Sequence, residues 1–222
     1  MSIAENIDQI NSNLHANIQL VAVSKTKPAE LLMEAYRNGQ RAFGENKVQE
    51  MVGKYEELPK DIEWHFIGHL QTNKVKQIAD WIHLIHSVDS ENVAAEIQKR
   101  AEKAKRTIDV LVEVNTSEEA TKFGVKPTKA MELLKFVSQF PNININGLMT
   151  IGPFTEDKDA SRDSFRILKS IFDEANNVIF IKKPMIELSM GMTHDYEIAI
   201  AEGSTMIRIG TAIFGSRTIN IN

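Results

Sequence analysis

The chain has 222 residues, 42% hydrophobic and 25% charged, the balance of a globular protein large enough to bury a core without disulfides or metals. A formal net charge of −4 and an isoelectric point near 5.9 give no global attraction for a phosphate backbone, so nucleic acid is not an expected partner. No cysteine is present, which excludes disulfides, thiolate metal sites and cysteine nucleophiles; with no basic leader and no membrane-length apolar run, a cytoplasmic protein with no membrane partner is expected.

An N-terminal helix over 3–17 precedes a short apolar strand at 20–23. A helix over 28–38 opens on Pro28 and closes before Gly39, a sound start and stop. Strand 42–44, helix 47–58 (halted by Pro59), strand 64–67 and a short helix 73–80 follow. Strand 82–87 leads to helix 90–105, with Ser90 as N-cap. Strand 109–114, helix 127–140, strand 145–151, helix 160–176, strand 185–189, helix 196–201 and strand 206–209 complete the series. The strands are mostly β-branched and lack clean alternation, which suits burial on both faces in a parallel sheet. Eight strand–helix units in this length favour one closed (β/α)8 barrel of the TIM type, a single domain over 1–222. No G-x-G-x-x-G follows the first strand, which weakens a dinucleotide-binding alternative.

Barrels of this type carry function at the C-terminal strand ends. Lys25 stands at the end of the apolar run VAVS, where a partly desolvated amine is freed to attack an aldehyde and form a Schiff base. A lysine that snorkels to solvent is the plainer alternative. The segments after the last two strands, Ser189-Met190-Gly191 and Gly210-Thr211, have the small and hydroxyl residues of a phosphate loop, although glycines after strands often mark simple turns. Arg208, just before a strand end, needs a ligand or a carboxylate such as Glu113 or Glu187 if it points inward.

The segments VAVSKTKP (21–28), FGENKVQE (43–50), WHFIGHLQTNK (64–74), FGV (123–125), GLMTIG (147–152), LSMGMTHDYEIAI (188–200) and GSTMIRIGTAIFG (203–215) resemble the pyridoxal phosphate homeostasis protein family, in order and over almost the whole chain. The family is similar to the barrel domain of alanine racemase, the fold-type III group that binds pyridoxal 5'-phosphate (PLP). The resemblance implies Lys25 as the Schiff-base lysine, Ser189, Gly210 and Thr211 at the phosphate, Arg208 facing the pyridine nitrogen, and Asn46 and Met149 lining the ring. Thr193 and Gly152 stand where Ser and Ala are common in the family; neither falls on an implied contact.

An arginine at the pyridine nitrogen leaves it unprotonated and weakens the electron sink. Racemases with this arginine succeed with a tyrosine base from a C-terminal β-domain. Only seven residues follow Gly215 here, so no such domain is expected. Of the three tyrosines, Tyr36 and Tyr55 fall on helices, and only Tyr196 lies near the expected mouth. The leading expectation is a PLP carrier or regulator, a monomer or weak dimer, with PLP-dependent apoenzymes as partners. An amino-acid racemase or lyase is the alternative and needs an acid/base such as His69 or Tyr196. A metal-dependent hydrolase is a third class; the pairs His65/His69 and His83/His86 form no recognised ligand motif, so no metal site is expected. Lys27, Lys47, Lys74 and Lys122 read as surface charge rather than a second PLP site.

Overall fold

The computed structural model describes residues 1–215 apart from 118, 120, 121, 179 and 182. Eight strands pair in parallel and in chain order: β1 (Gln19–Val23), β2 (Ala42–Glu45), β3 (Glu63–Phe66), β4 (Leu84–Val88), β5 (Ile108–Glu113), β6 (Ile143–Met149), β7 (Glu187–Ser189) and β8 (Met206–Ile209). β8 returns to β1, with Val21 opposite Arg208 and Ala22 opposite Ile209, and the sheet closes as a barrel. Helices α1 (Ile3–Ser12), α2 (Ala29–Arg37), α3 (Val48–Glu57), α4 (Glu91–Lys103), α5 (Ala130–Val137), α6 (Lys158–Asn176), α7 (Tyr196–Ala201) and α8 (Thr211–Phe214) lie before β1, in the connections and after β8. This is the closed (β/α)8 barrel of the TIM type that the strand–helix alternation indicates.

Two apolar layers hold it. The larger lies between strands and helices and includes Phe43, Trp64, Phe66, Leu134 and Phe165, all essentially inaccessible. The smaller fills the barrel axis with Val21, Ala42, Leu84, Leu111, Met149 and Met206. Both faces of each strand are therefore buried, which is why the strand sequences show no alternation.

The boundaries differ where polar caps intervene. α1 starts with a capping box between Ser2 and Glu5 and stops at Asn13 rather than running to 17, because Asn11, Ser12 and Asn13 favour turns over helix interior. Residues 72–77 form a 3-10 turn and not an α-helix. Pro127–Lys129 is a separate 3-10 turn before α5. α6 begins two residues early because the Asp157 carboxylate caps the N–H groups of Asp159 and Ala160. None of these shifts moves a strand end that carries a candidate site residue.

Candidate functional site

The C-terminal strand ends bring the candidate residues to one rim. Lys25 lies two residues beyond β1 and is half-buried. Its backbone is pinned on both sides. The Ser24 carbonyl accepts from the Lys54 ammonium at 2.8 Å, and the Thr26 N–H donates to Glu50 Oε1 at 2.5 Å. Thr26 has φ of 65°, a left-handed conformation rare for a β-branched residue, so the turn after Lys25 is held rather than relaxed. Lys54 also pairs with Glu45 Oε1 at 2.6 Å and Glu50 Oε1 at 2.7 Å, and the Ser24 hydroxyl donates to Glu45 at 2.7 Å. Burial pushes the Glu45 carboxyl up from its ordinary range, opposed by the Lys54 charge and the hydrogen bonds from Lys54 and Ser24.

Asn46 follows β2 and is half-buried. Gly68 packs on it so closely that a side-chain carbon there would lie 2.3 Å from the Asn46 carbonyl, so only glycine lets the segment after β3 clamp Asn46. Gly210 likewise leans on Val23, where an added carbon would sit 3.1 Å from the Val23 carbonyl. The β8 end is thereby pressed against the β1 end, and Gly210-Thr211 becomes a neighbour of Lys25. Thr211 is exposed and opens α8. Met149, the last residue of β6, is buried in the axial layer below.

Arg208 points into the barrel and is buried. It donates to Ser189 Oγ at 2.6 Å and to the Thr150 carbonyl at 2.8 Å. The carboxylate partners weighed for it are engaged otherwise: Glu187 accepts from Thr205, and Glu113 acts on Arg208 only as a nearby charge. Burial lowers the Arg208 guanidinium to about 10, which still leaves it charged at neutral pH. Ser189 is itself inaccessible, and His86 Nδ1 lies 3.0 Å from its oxygen. His86 Nε2 in turn lies 2.9 Å from His65 Nδ1. A column therefore runs down the axis: Arg208, Ser189, His86, His65. Burial, with smaller repulsions from neighbouring charges, keeps both imidazoles neutral; His65 is lowered to about 3 and His86 well below its ordinary value.

Glu113 ends β5 at the same rim. Burial first, and then the Asp89 charge, raise its carboxyl to about 7 against the opposing pull of Arg208. His69 Nδ1 lies 3.1 Å from Asp89 Oδ2, and its ring stacks on Phe123 at 3.9 Å. Tyr196 instead packs on the core, and its hydroxyl is held up by burial and by Glu197. The sequence reading missed the Glu45–Lys54–Glu50 network and the His65–His86 column. Only the spacing of Glu50 and Lys54, one helical turn apart, gave a signal.

Three comparisons bear on this site. The profile described as alanine racemase, N-terminal domain, matches residues 1–218. The chain is 48% identical over 200 residues to the pyridoxal phosphate homeostasis protein of Aquifex aeolicus, covering 90% of this chain and 87% of the relative. It is 39% identical over 237 residues to that of Vibrio cholerae, covering 100% and 99%. Among solved structures, PipY of Synechococcus elongatus with PLP bound superposes with a TM-score of 0.88 at 36% identity, over 96% of this chain and all of PipY. An alanine racemase of Clostridium difficile shares the fold alone, with a TM-score of 0.80 at 14% identity over 99% of this chain and 58% of the racemase.

Proposed function

From the premise that this chain belongs to the alanine racemase N-terminal domain family, among its pyridoxal phosphate homeostasis proteins, we propose that it binds PLP at the C-terminal rim and serves intracellular PLP homeostasis. The carrying observation is the pinned turn at Lys25 beside the Gly210-Thr211 loop. The donor set fits the cofactor. Lys25 would hold it through its side-chain amine as a Schiff base. The backbone at Gly210 and the Thr211 hydroxyl take the phosphate. Ser189, engaged with Arg208, contributes first by holding that guanidinium in place. Arg208 would face the pyridine nitrogen as a donor, and Asn46 and Met149 would border the ring. When bound, the group supplies an aldehyde carbon for the lysine and an electron-accepting ring. Arg208 stays charged, so it favours an unprotonated ring nitrogen and a weak sink. That supports a carrier or regulator over a catalyst, as a single PLP-binding barrel over 1–222, cytoplasmic, monomeric or weakly dimeric, with PLP-dependent apoenzymes as recipients. Among the described residues no helix is long and apolar enough to cross a membrane.

One observation favours a second reading, an amino-acid racemase or lyase. The His69–Asp89 pair sits on the rim segments after β3 and β4, away from the Lys25 side. Amino-acid turnover well above that of free PLP, lost in Asp89→Asn, would establish that reading in place of the carrier.

The carrier site is tested by absorption spectra of purified protein with added PLP. A visible imine band that borohydride removes, and that Lys25→Ala lacks, is the expected result. An equal band in Lys25→Ala would overturn the assignment.

A further inference from the structure

The column below Arg208 ends, at the opposite mouth of the barrel, in a group of side chains that the PLP site does not use. We propose that Glu63, His65 and His83 bind a first-row divalent cation of the zinc class, through one carboxylate oxygen and one ring nitrogen of each histidine. Glu63 opens β3, and His65 follows two residues later on the same face. His83 immediately precedes β4, and its N–H donates to the Trp64 carbonyl at 3.0 Å, which sets it beside them. The candidate ligand atoms of the three residues all lie within 4.8 Å of one another, and the two imidazole rings are 5.2 Å apart.

A second observation is independent of that clustering. His65 is fully buried, yet its Nε2 has no hydrogen-bond partner among the described residues. Buried polar atoms are normally satisfied, and an orphan calls for an explanation. Its other nitrogen, Nδ1, is occupied by His86. If Nδ1–H donates to His86 and His86 Nδ1–H donates to Ser189, the orphan Nε2 carries a lone pair. This is the arrangement of a metal-bound histidine, whose second nitrogen donates to an outer partner that fixes tautomer and ring orientation.

Two histidines and one glutamate are a common zinc set, with a fourth position left for water or an anion. The three ligand atoms must close to about 2.1 Å from the ion. His65 is fixed, while Glu63 is half-buried and His83 exposed, so these two are the ones able to swing in. The histidine pairs considered from sequence fail as ligand sets because the site draws from two strands; only the β3–β4 pairing, His65 opposite Leu84, assembles it. A cation here fixes the proton positions along the column as far as the serine under Arg208.

The test is a zinc titration of the metal-depleted full chain against a chromophoric chelator, repeated with cobalt(II) for its visible bands. The expected result is one tight equivalent per chain with four-coordinate cobalt bands. His83→Ala and Glu63→Gln should each weaken binding at least about tenfold, since even outer-shell partners are worth 10–100-fold. His83 is exposed, and Glu63 is half-buried with one long contact, from the Gln19 amide at 3.5 Å, which glutamine can also accept, so both variants should keep close to the wild-type melting curve, and the exposed control His15→Ala should bind as wild type does. No tight equivalent in the wild type would overturn the proposal, as would binding that survives unchanged in both variants. The readout involves neither Lys25 nor PLP, so its failure is separate from failure of the PLP reading.

Discussion

Two buried polar networks flank the rim, and they are built on opposite principles. Outside the barrel, Glu45, Lys54 and Glu50 form a charged cluster that pins the backbone on either side of Lys25. Inside it, Arg208, Ser189, His86 and His65 form a column with a single charge at its upper end and neutral imidazoles beneath. In the first, each charge depends on its counter-charge, and removing one strands the other. In the second, the imidazoles avoid charge altogether and work by orientation. A turn under strain at Thr26 is held by strong, short contacts to its backbone, whereas a guanidinium that must face a ligand needs its rotamer fixed without its charge being neutralised.

The widest separation between the networks should appear in acid. His65 is lowered from 6.5 to about 3, so the unfolded chain takes up a proton that the folded chain refuses. Stability from this group is intact above pH 6.5 and is lost as pH falls toward 3, by up to about 5 kcal/mol at 1.36 kcal/mol per unit. Urea unfolding at pH 7 and pH 4 should show this loss in the wild type and a smaller one in His65→Leu; equal losses would place acid sensitivity elsewhere.

Lys54→Met should come next, destabilising by about 3–5 kcal/mol because it leaves Glu45 buried without its cation. Adding Glu45→Gln should restore most of that loss. If the two changes simply add, the cluster is not a coupled unit.

Glu113 titrates in the opposite sense to His65. Its carboxyl is raised to about 7, so the folded state keeps a proton that the unfolded state releases above about 4.5. Stability from this group is full below pH 4.5 and is lost as pH rises through 7, by up to about 3 kcal/mol. Glu113→Gln should therefore gain on the wild type between pH 5 and pH 8, by denaturant midpoints at the two values.

The smallest effect isolates burial as the cause. Glu202 accepts from Arg162 at 2.6 Å, as short as the Lys54–Glu45 contact, and from Arg166 at 3.1 Å, but Arg166 is 60% exposed. Glu202→Gln should cost under about 1 kcal/mol in the same unfolding assay.

The fold is legible because eight short apolar segments with a helix in each gap, most of those helices marked by a proline, glycine or cap signal, leave few arrangements other than a closed barrel. The strand-end filter brings Lys25, Gly210 and Thr211 forward for the same reason, and Asn46 enters through the family resemblance. Lys54 was not legible: on α3 it reads as a surface lysine paired with Glu50, and its burial depends on how the helix docks against β2. The histidine column was hidden differently. With both strand faces buried, sequence parity does not tell inward from outward, and only the barrel register aligns His65, His86 and Ser189 on one axis. α8, four residues long, is too short to show a periodicity.

The central claim is most directly tested by reducing the PLP-loaded protein with borohydride and mapping the pyridoxyl-bearing peptide by mass spectrometry. The account predicts one modified lysine, Lys25, and no fixed adduct in Lys25→Ala. Modification at Lys27 or Lys54 with Lys25 untouched would contradict it.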